Sequence, residues 1–143
     1  MAVTAYLLDV NVLIALAWPQ HSEHAVARAW FGTHRSKRWA TCPLVQAGFV
    51  RILSNPSFSR RSVTVAQAIE ALRAGINDKA HEFWPDSISF PDAAERMHQP
   101  LIGHQQVTDA YLVALAIQNQ GKLATLDRGI ARFAPTGVVE VIE

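Results

Sequence analysis

Tyr6-Leu7-Leu8-Asp9-Val10-Asn11-Val12-Leu13-Ile14 changes its period halfway through, and that change decides the fold. The apolar run up to Asp9 reads as a short strand buried on both faces, expected over 4–9. A helical run over 12–17 follows, with Asn11 marking the boundary. A buried strand passing straight into a helix opens a parallel α/β unit. A carboxylate at such a junction lies at the carboxyl rim of the sheet, where open α/β folds build their sites.

The same alternation continues along the chain. Ser22 is placed to cap a second helix, with Glu23 in its first turn and Ala25, Ala29 and Trp30 at helical spacing. The basic loop Arg35-Ser36-Lys37-Arg38 precedes a strand at 39–42, and a third helix spans 44–53 until Asn55-Pro56 stops it. Thr64 with Gln67 has the form of a capping box. A strand at 81–84, a short helix from Asp92 to Met97, a longer helix over 106–119 and strands at 122–126 and 138–142 complete the pattern. The alternation predicts the α/β class, a sandwich around a mainly parallel sheet, as one unit over 1–143.

Half of the 143 residues are hydrophobic, enough for a core without staples and against disorder. A net charge of +1 leaves any nucleic-acid footprint to local basic clusters such as Arg35 to Arg38 and Arg60-Arg61. Cys42 is the single cysteine, so no internal disulfide forms, as in a reducing compartment. It reads as a small core residue before a nucleophile. No Lys or Arg precedes Arg28, and Asp9 and Pro19 interrupt the apolar start. Neither a signal peptide nor a membrane span is expected, and the chain is placed in the cytoplasm.

Two further acids repeat the position of Asp9. Asp109 follows Thr108 at the start of the long helix, and Asp127 closes the strand Leu123-Ala124-Thr125-Leu126. Each has an ordinary explanation: a helix cap for Asp9, with Asn11 as an alternative cap, a dipole partner for Asp109 and a turn for Asp127. All three together suit chemistry that gathers carboxylates around a hard cation, Mg²⁺ or Mn²⁺. The scattered histidines lack the paired spacing of a zinc helix.

With Thr41-Cys42-Pro43 running on to Arg51-Ile52-Leu53-Ser54-Asn55-Pro56, these segments make the chain resemble a PIN domain, and more narrowly the VapC toxins of bacterial toxin–antitoxin pairs. The resemblance covers nearly the whole chain in order. It implies an α/β/α sandwich, an acidic pocket for Mg²⁺ or Mn²⁺, endoribonuclease activity, a homodimer and a VapB-type antitoxin. Carried over by position, Asp9, Asp109 and Asp127 would be metal ligands and catalytic residues.

The departure is Gln46, which stands where similar sequences carry glutamate; between Pro43 and Pro56 the only charge is Arg51. Glutamine cannot act as a general base. Removing one anion at 4 Å forfeits up to about 4 kcal/mol of attraction at an effective dielectric of about 20. Gln46 is compatible with a weak or outer-sphere role beside one metal instead of two, with a substitution that silences a toxic activity, or with a purely structural glutamine. Arg51 is placed either to meet a phosphate or to sit on a solvated helix face, and Thr108 and Thr125 to bond the acids or to serve as cap and strand residues.

Two functions follow: a metal-dependent endoribonuclease toxin, or a catalytically silent PIN-domain protein that captures antitoxin or RNA. An aspartate-nucleophile phosphatase is disfavoured because Asn11 replaces the second acid such sites use, and Gly121-Lys122-Leu123 lacks a phosphate-loop pattern.

Overall fold

A computed structural model describes residues 4–34, 38–58 and 63–143. Five strands form one fully parallel sheet in the order β3-β2-β1-β4-β5, with β1 at Tyr6–Leu8, β2 at Trp39–Thr41, β3 at His81–Phe83, β4 at Lys122–Thr125 and β5 at Val139–Val141. The helices are α1 (Val10–Ala17), α2 (His24–His34), α3 (Pro43–Leu53), α4 (Val65–Ile76), α5 (Phe90–Glu95) and α6 (Val107–Gln118). The chain steps outward from β1 through β2 to β3, then crosses back to β4. Right-handed crossovers therefore put α1 to α4 on one face and α5 and α6 on the other. The packing agrees: α1 touches α2 and α3, α3 touches α4, and α5 touches α6.

The central strands explain why Leu7, Leu8, Leu123 and Ala124 are all fully buried: helices cover both faces of the sheet. On α6, Leu112, Val113, Ala114, Leu115 and Ala116 are all inaccessible, as expected of a helix enclosed on every side. Gln120 closes the turn after α6 in the left-handed region, at φ 57°. Gly121 follows because a Cβ there would lie 2.5 Å from the Ala5 carbonyl and 2.8 Å from the Trp84 ring.

Several expected boundaries move for local reasons. The first strand ends at Leu8, because Asp9 caps α1 and the helix begins at Val10, not at 12. Asn11 lies inside α1 and does not cap it. The second helix begins at His24, one residue past the expected start, and the ring of His21 accepts the Glu23 N–H at 3.0 Å, so Ser22 is not the cap. Its packed face is Val26, Ala27, Trp30 and Phe31; Ala25 and Ala29 are exposed. Cys42 is the N-cap position of α3, not the last strand residue. The short helix starts at Phe90 because Ser89 caps it and Pro91 suits its first turn. The Thr64–Gln67 capping box forms with both reciprocal bonds. Arg35 to Lys37 and Arg60-Arg61, the expected basic runs, lie outside the described residues apart from Arg38, which pairs with Glu82 at 2.8 Å.

Candidate active site

Parallel strands present their carboxyl ends on one rim, and β1 and β4 are neighbours in register, Leu8 against Ala124. The next residues of each strand therefore meet. Thr125, fully buried, donates its hydroxyl proton to Asp9 Oδ2 at 2.8 Å, while Val10 N–H donates to Asp9 Oδ1 at 2.7 Å. The same hydroxyl accepts from Asn11 Nδ2 at 3.2 Å and from the Asp127 N–H at 3.0 Å. One donor and two lone pairs are thus fully used. Asn11 reaches further, its Oδ1 accepting from Leu126 N–H at 3.2 Å. Asn11 and Thr125 together tie the start of α1 to the turn that carries Asp127, whose Oδ1 caps a short 3-10 helix by accepting from Gly129.

Asp109 enters from above, in the first turn of α6. Burial, then the charges of Asp9 and Asp127, push its carboxyl up to about 6. Asp9 is also raised, chiefly by burial, against the lowering bonds from Thr125 and Val10; the charge of Asp127 adds to the rise. The three acids named by sequence therefore share one electrostatic environment. Thr125 bonds the acids as one of its two readings had it, whereas Thr108 is exposed.

Gln46 is drawn elsewhere. Its Nε2 donates to the fully buried Thr41 hydroxyl at 2.9 Å, and Thr41 Oγ1 lies 2.7 Å from His81 Nε2. Gln46 and the exposed Arg51 border a surface cavity of about 790 Å³ between α3 and α4. Cys42 is completely inaccessible, and burial pushes its thiol up to about 11, so it is no thiolate nucleophile near neutral pH. Neither Thr41 nor His81 was singled out from sequence, and no local motif marks a contact that spans β2, β3 and α3.

The donor set suits a hydrated divalent ion more than a closed cage. Carboxylates that raise one another's proton affinity are relieved by a cation. Among the described residues, however, no three His, Cys, Asp or Glu side chains converge as a ready cage. Mg²⁺ keeps several waters and takes one or two carboxylates, which this rim can supply.

Residues 6–135 match the PIN domain family model. The relatives include Ribonuclease VapC39 of Mycobacterium tuberculosis, 45% identical over 95% of this chain and 98% of that protein. Ribonuclease VapC44 of the same organism is 41% identical over 94% of each chain. The chain belongs to the PIN domain family, within its VapC ribonuclease branch. Among solved structures, VapBC2 from Rickettsia felis bound to a promoter DNA fragment superposes with a TM-score of 0.69 at 15% identity, covering 98% of this chain and 100% of that one. VapC20 of Mycobacterium tuberculosis, a Sarcin-Ricin loop cleaving toxin, gives 0.67 at 16% identity, covering 96% and 99%. Those two likenesses carry the fold: a three-layer α/β/α sandwich. Among the described residues, no helix is long and apolar enough to cross a membrane.

Proposed function

We propose that this protein is a divalent-metal-dependent endoribonuclease toxin, restrained by a VapB-type antitoxin in the cytoplasm. The observation that carries the reading is the shared field of the acids: Asp109 is lifted to about 6 by its burial and by Asp9 and Asp127. An enzyme that leaves carboxylates in mutual repulsion stores affinity for a cation. The relatives named as VapC ribonucleases supply the substrate class, and the paired VapBC2 structure supports the antitoxin.

Asp9, Asp109 and Asp127 would hold Mg²⁺ or Mn²⁺, with water completing the shell. When bound, such an ion lowers the pKa of a coordinated water and offsets charge on the scissile phosphate. The chain's own residues set the stage for that. Thr125 and the Val10 N–H fix both oxygens of Asp9, so its carboxylate cannot rotate. The raised proton affinity of Asp109 belongs to the metal-free rim, and a bound cation would lower it and draw the carboxylate into the ligand set. Gln46 has no group that titrates near neutral pH and is engaged with Thr41, so this reading leaves it out of the proton-transferring set. Arg51, exposed on α3, would be a cation for a flanking phosphate. A homodimer and a single domain over the full chain complete the reading, and light scattering during size exclusion checks the former.

The test is cleavage of a mixed RNA pool with Mg²⁺, Mn²⁺ or EDTA, comparing the native chain with Asp9→Asn and Asp109→Asn. Cutting that requires metal and disappears in both variants is expected. Cutting that persists in EDTA overturns the metal reading. A silent protein that binds antitoxin or RNA is favoured by two features: Gln46 stands where the resemblance implies an acid, and no three-acid cage is preformed among the described residues. Metal-independent RNA binding without cleavage in any of these conditions would establish that second reading.

A further inference from the structure

Thr41 has one hydroxyl proton and two side-chain neighbours, Gln46 and His81, and it is completely inaccessible to water. Two arrangements make the hydroxyl a donor to one of these neighbours and an acceptor from the other. If the imidazole is neutral with its proton on Nδ1, Thr41 donates to Nε2 and must accept from residue 46, so the glutamine turns its NH₂ inward. This is the orientation in the structure, with Gln46 Nε2 at 2.9 Å from Thr41 Oγ1. If Nε2 carries a proton, His81 donates to Thr41, and the hydroxyl proton turns to residue 46, which must then present its oxygen inward.

Gln46 also borders the cavity lined by Arg51, Ser54 and Asn55, and with one end of its carboxamide on Thr41 the other end is the one left to that cavity. We propose that Gln46, Thr41 and His81 form a proton-controlled switch, in which the protonation of His81 decides whether Gln46 shows that cavity a carbonyl oxygen or amide hydrogens. With His81 neutral and its proton on Nδ1, the cavity holds an acceptor in company with the Arg51 guanidinium. With imidazolium it holds two donor groups, a surface better suited to an anion such as a phosphate. The inference stands on the hydrogen-bond chain and does not require the nuclease reading.

The surroundings of His81 favour the neutral form near pH 7. Burial lowers its pKa, opposed by the carboxylates of Asp78 and Glu82. Asp78 is engaged by Trp39 Nε1 at 2.9 Å and by the Ala80 N–H. Glu82 is paired with Arg38 at 2.8 Å and accepts from Trp84 Nε1. The Trp39 ring lies against the imidazole, centroids 4.7 Å apart. Both facing anions are therefore partly neutralised by donors of their own.

Glutamate at position 46 permits only one arrangement, because an ionised carboxylate has no proton to give Thr41. Gln46→Glu should therefore force the proton onto His81 Nε2 and raise the His81 pKa by about one unit. The experiment is nitrogen-15 NMR of the histidine rings in the full chain, titrated from pH 5 to 8, for the native protein, Gln46→Glu, Gln46→Met and Thr41→Ser. Native His81 should show the Nδ1–H form at high pH, with one Gln46 side-chain proton protected from exchange and that protection lost as His81 protonates. Gln46→Glu should change the tautomer and raise the pKa; Gln46→Met should not raise it, and Thr41→Ser should behave as native. An unchanged tautomer and pKa in Gln46→Glu would overturn the switch, as would Gln46 protection that ignores His81.

Discussion

Thr125 has a single hydroxyl, and every partner of that hydroxyl belongs to the acidic rim: Asp9, Asn11 and the backbone of Asp127. Thr125→Val keeps the shape and removes all three bonds, leaving a buried carboxylate oxygen and two donors unpartnered. The buried Asp9 oxygen costs about 1–3 kcal/mol when orphaned, while the two part-buried donors can turn to water, so a loss of about 2 kcal/mol is expected in urea unfolding. A misaligned supporting group at a metal site costs about 10–100-fold in activity or metal affinity. RNA cleavage by Thr125→Val should fall by about that factor, and Thr125→Ser should recover both properties. A valine variant with native cleavage would assign the acids' alignment to something else. The acids were legible in the sequence because each follows a hydrophobic strand or opens a helix. The threonine's importance was only half legible, since its main bond joins residues 116 positions apart.

At the level of elements, the placement of α3 depends on a close approach. A Cβ at Gly48 would lie 2.8 Å from Val10 Cγ2, so α3 meets α1 directly beside the residue that follows Asp9. Gly48→Ala gains about 1 kcal/mol of helix propensity but overpacks a stiff β-branched neighbour, which costs about 1–3 kcal/mol. A net loss of stability is expected, and in the Val10→Ala background the same change should instead stabilise. Chemical denaturation of the four proteins of that cycle measures the coupling. Elements whose signals are local were readable: the Thr64–Gln67 box, the Pro56 stop and the apolar runs of β1 and β4. The start of α2 was not: the helix begins at His24, after a turn in which the His21 ring holds the Glu23 N–H. Of its expected face Trp30 does pack, partnered with Glu140 of β5 from 110 residues away, whereas Ala25 and Ala29 are exposed.

For the whole molecule, the carboxyl rim makes stability depend on pH in a direction opposite to that of a salt-bridged protein. The folded Asp109 carboxyl titrates at about 6, above the 3.8 of a free aspartate, so the folded state binds the proton more tightly than the unfolded one. Its contribution is fully present below pH 3.8 and is lost as pH rises through about 6. In EDTA, the melting temperature of the native chain relative to Asp109→Asn should therefore fall between pH 5 and pH 7.5. Mg²⁺ at the higher pH should restore the difference, by up to about 2.7 kcal/mol at a hundredfold excess over its dissociation constant. A difference independent of pH and of metal would remove Asp109 from the coupled set.

The sheet order has a consequence for synthesis. β1 occupies the middle of the sheet, yet its neighbour β4 is made almost last, and Asp9 waits for Thr125, 116 residues downstream, before its carboxylate is fixed. A ribosome that stops early releases a chain with one unsupported aspartate and an unfinished sheet. For a member of a ribonuclease family, the acidic rim is thus completed only when the last strands of the sheet have emerged.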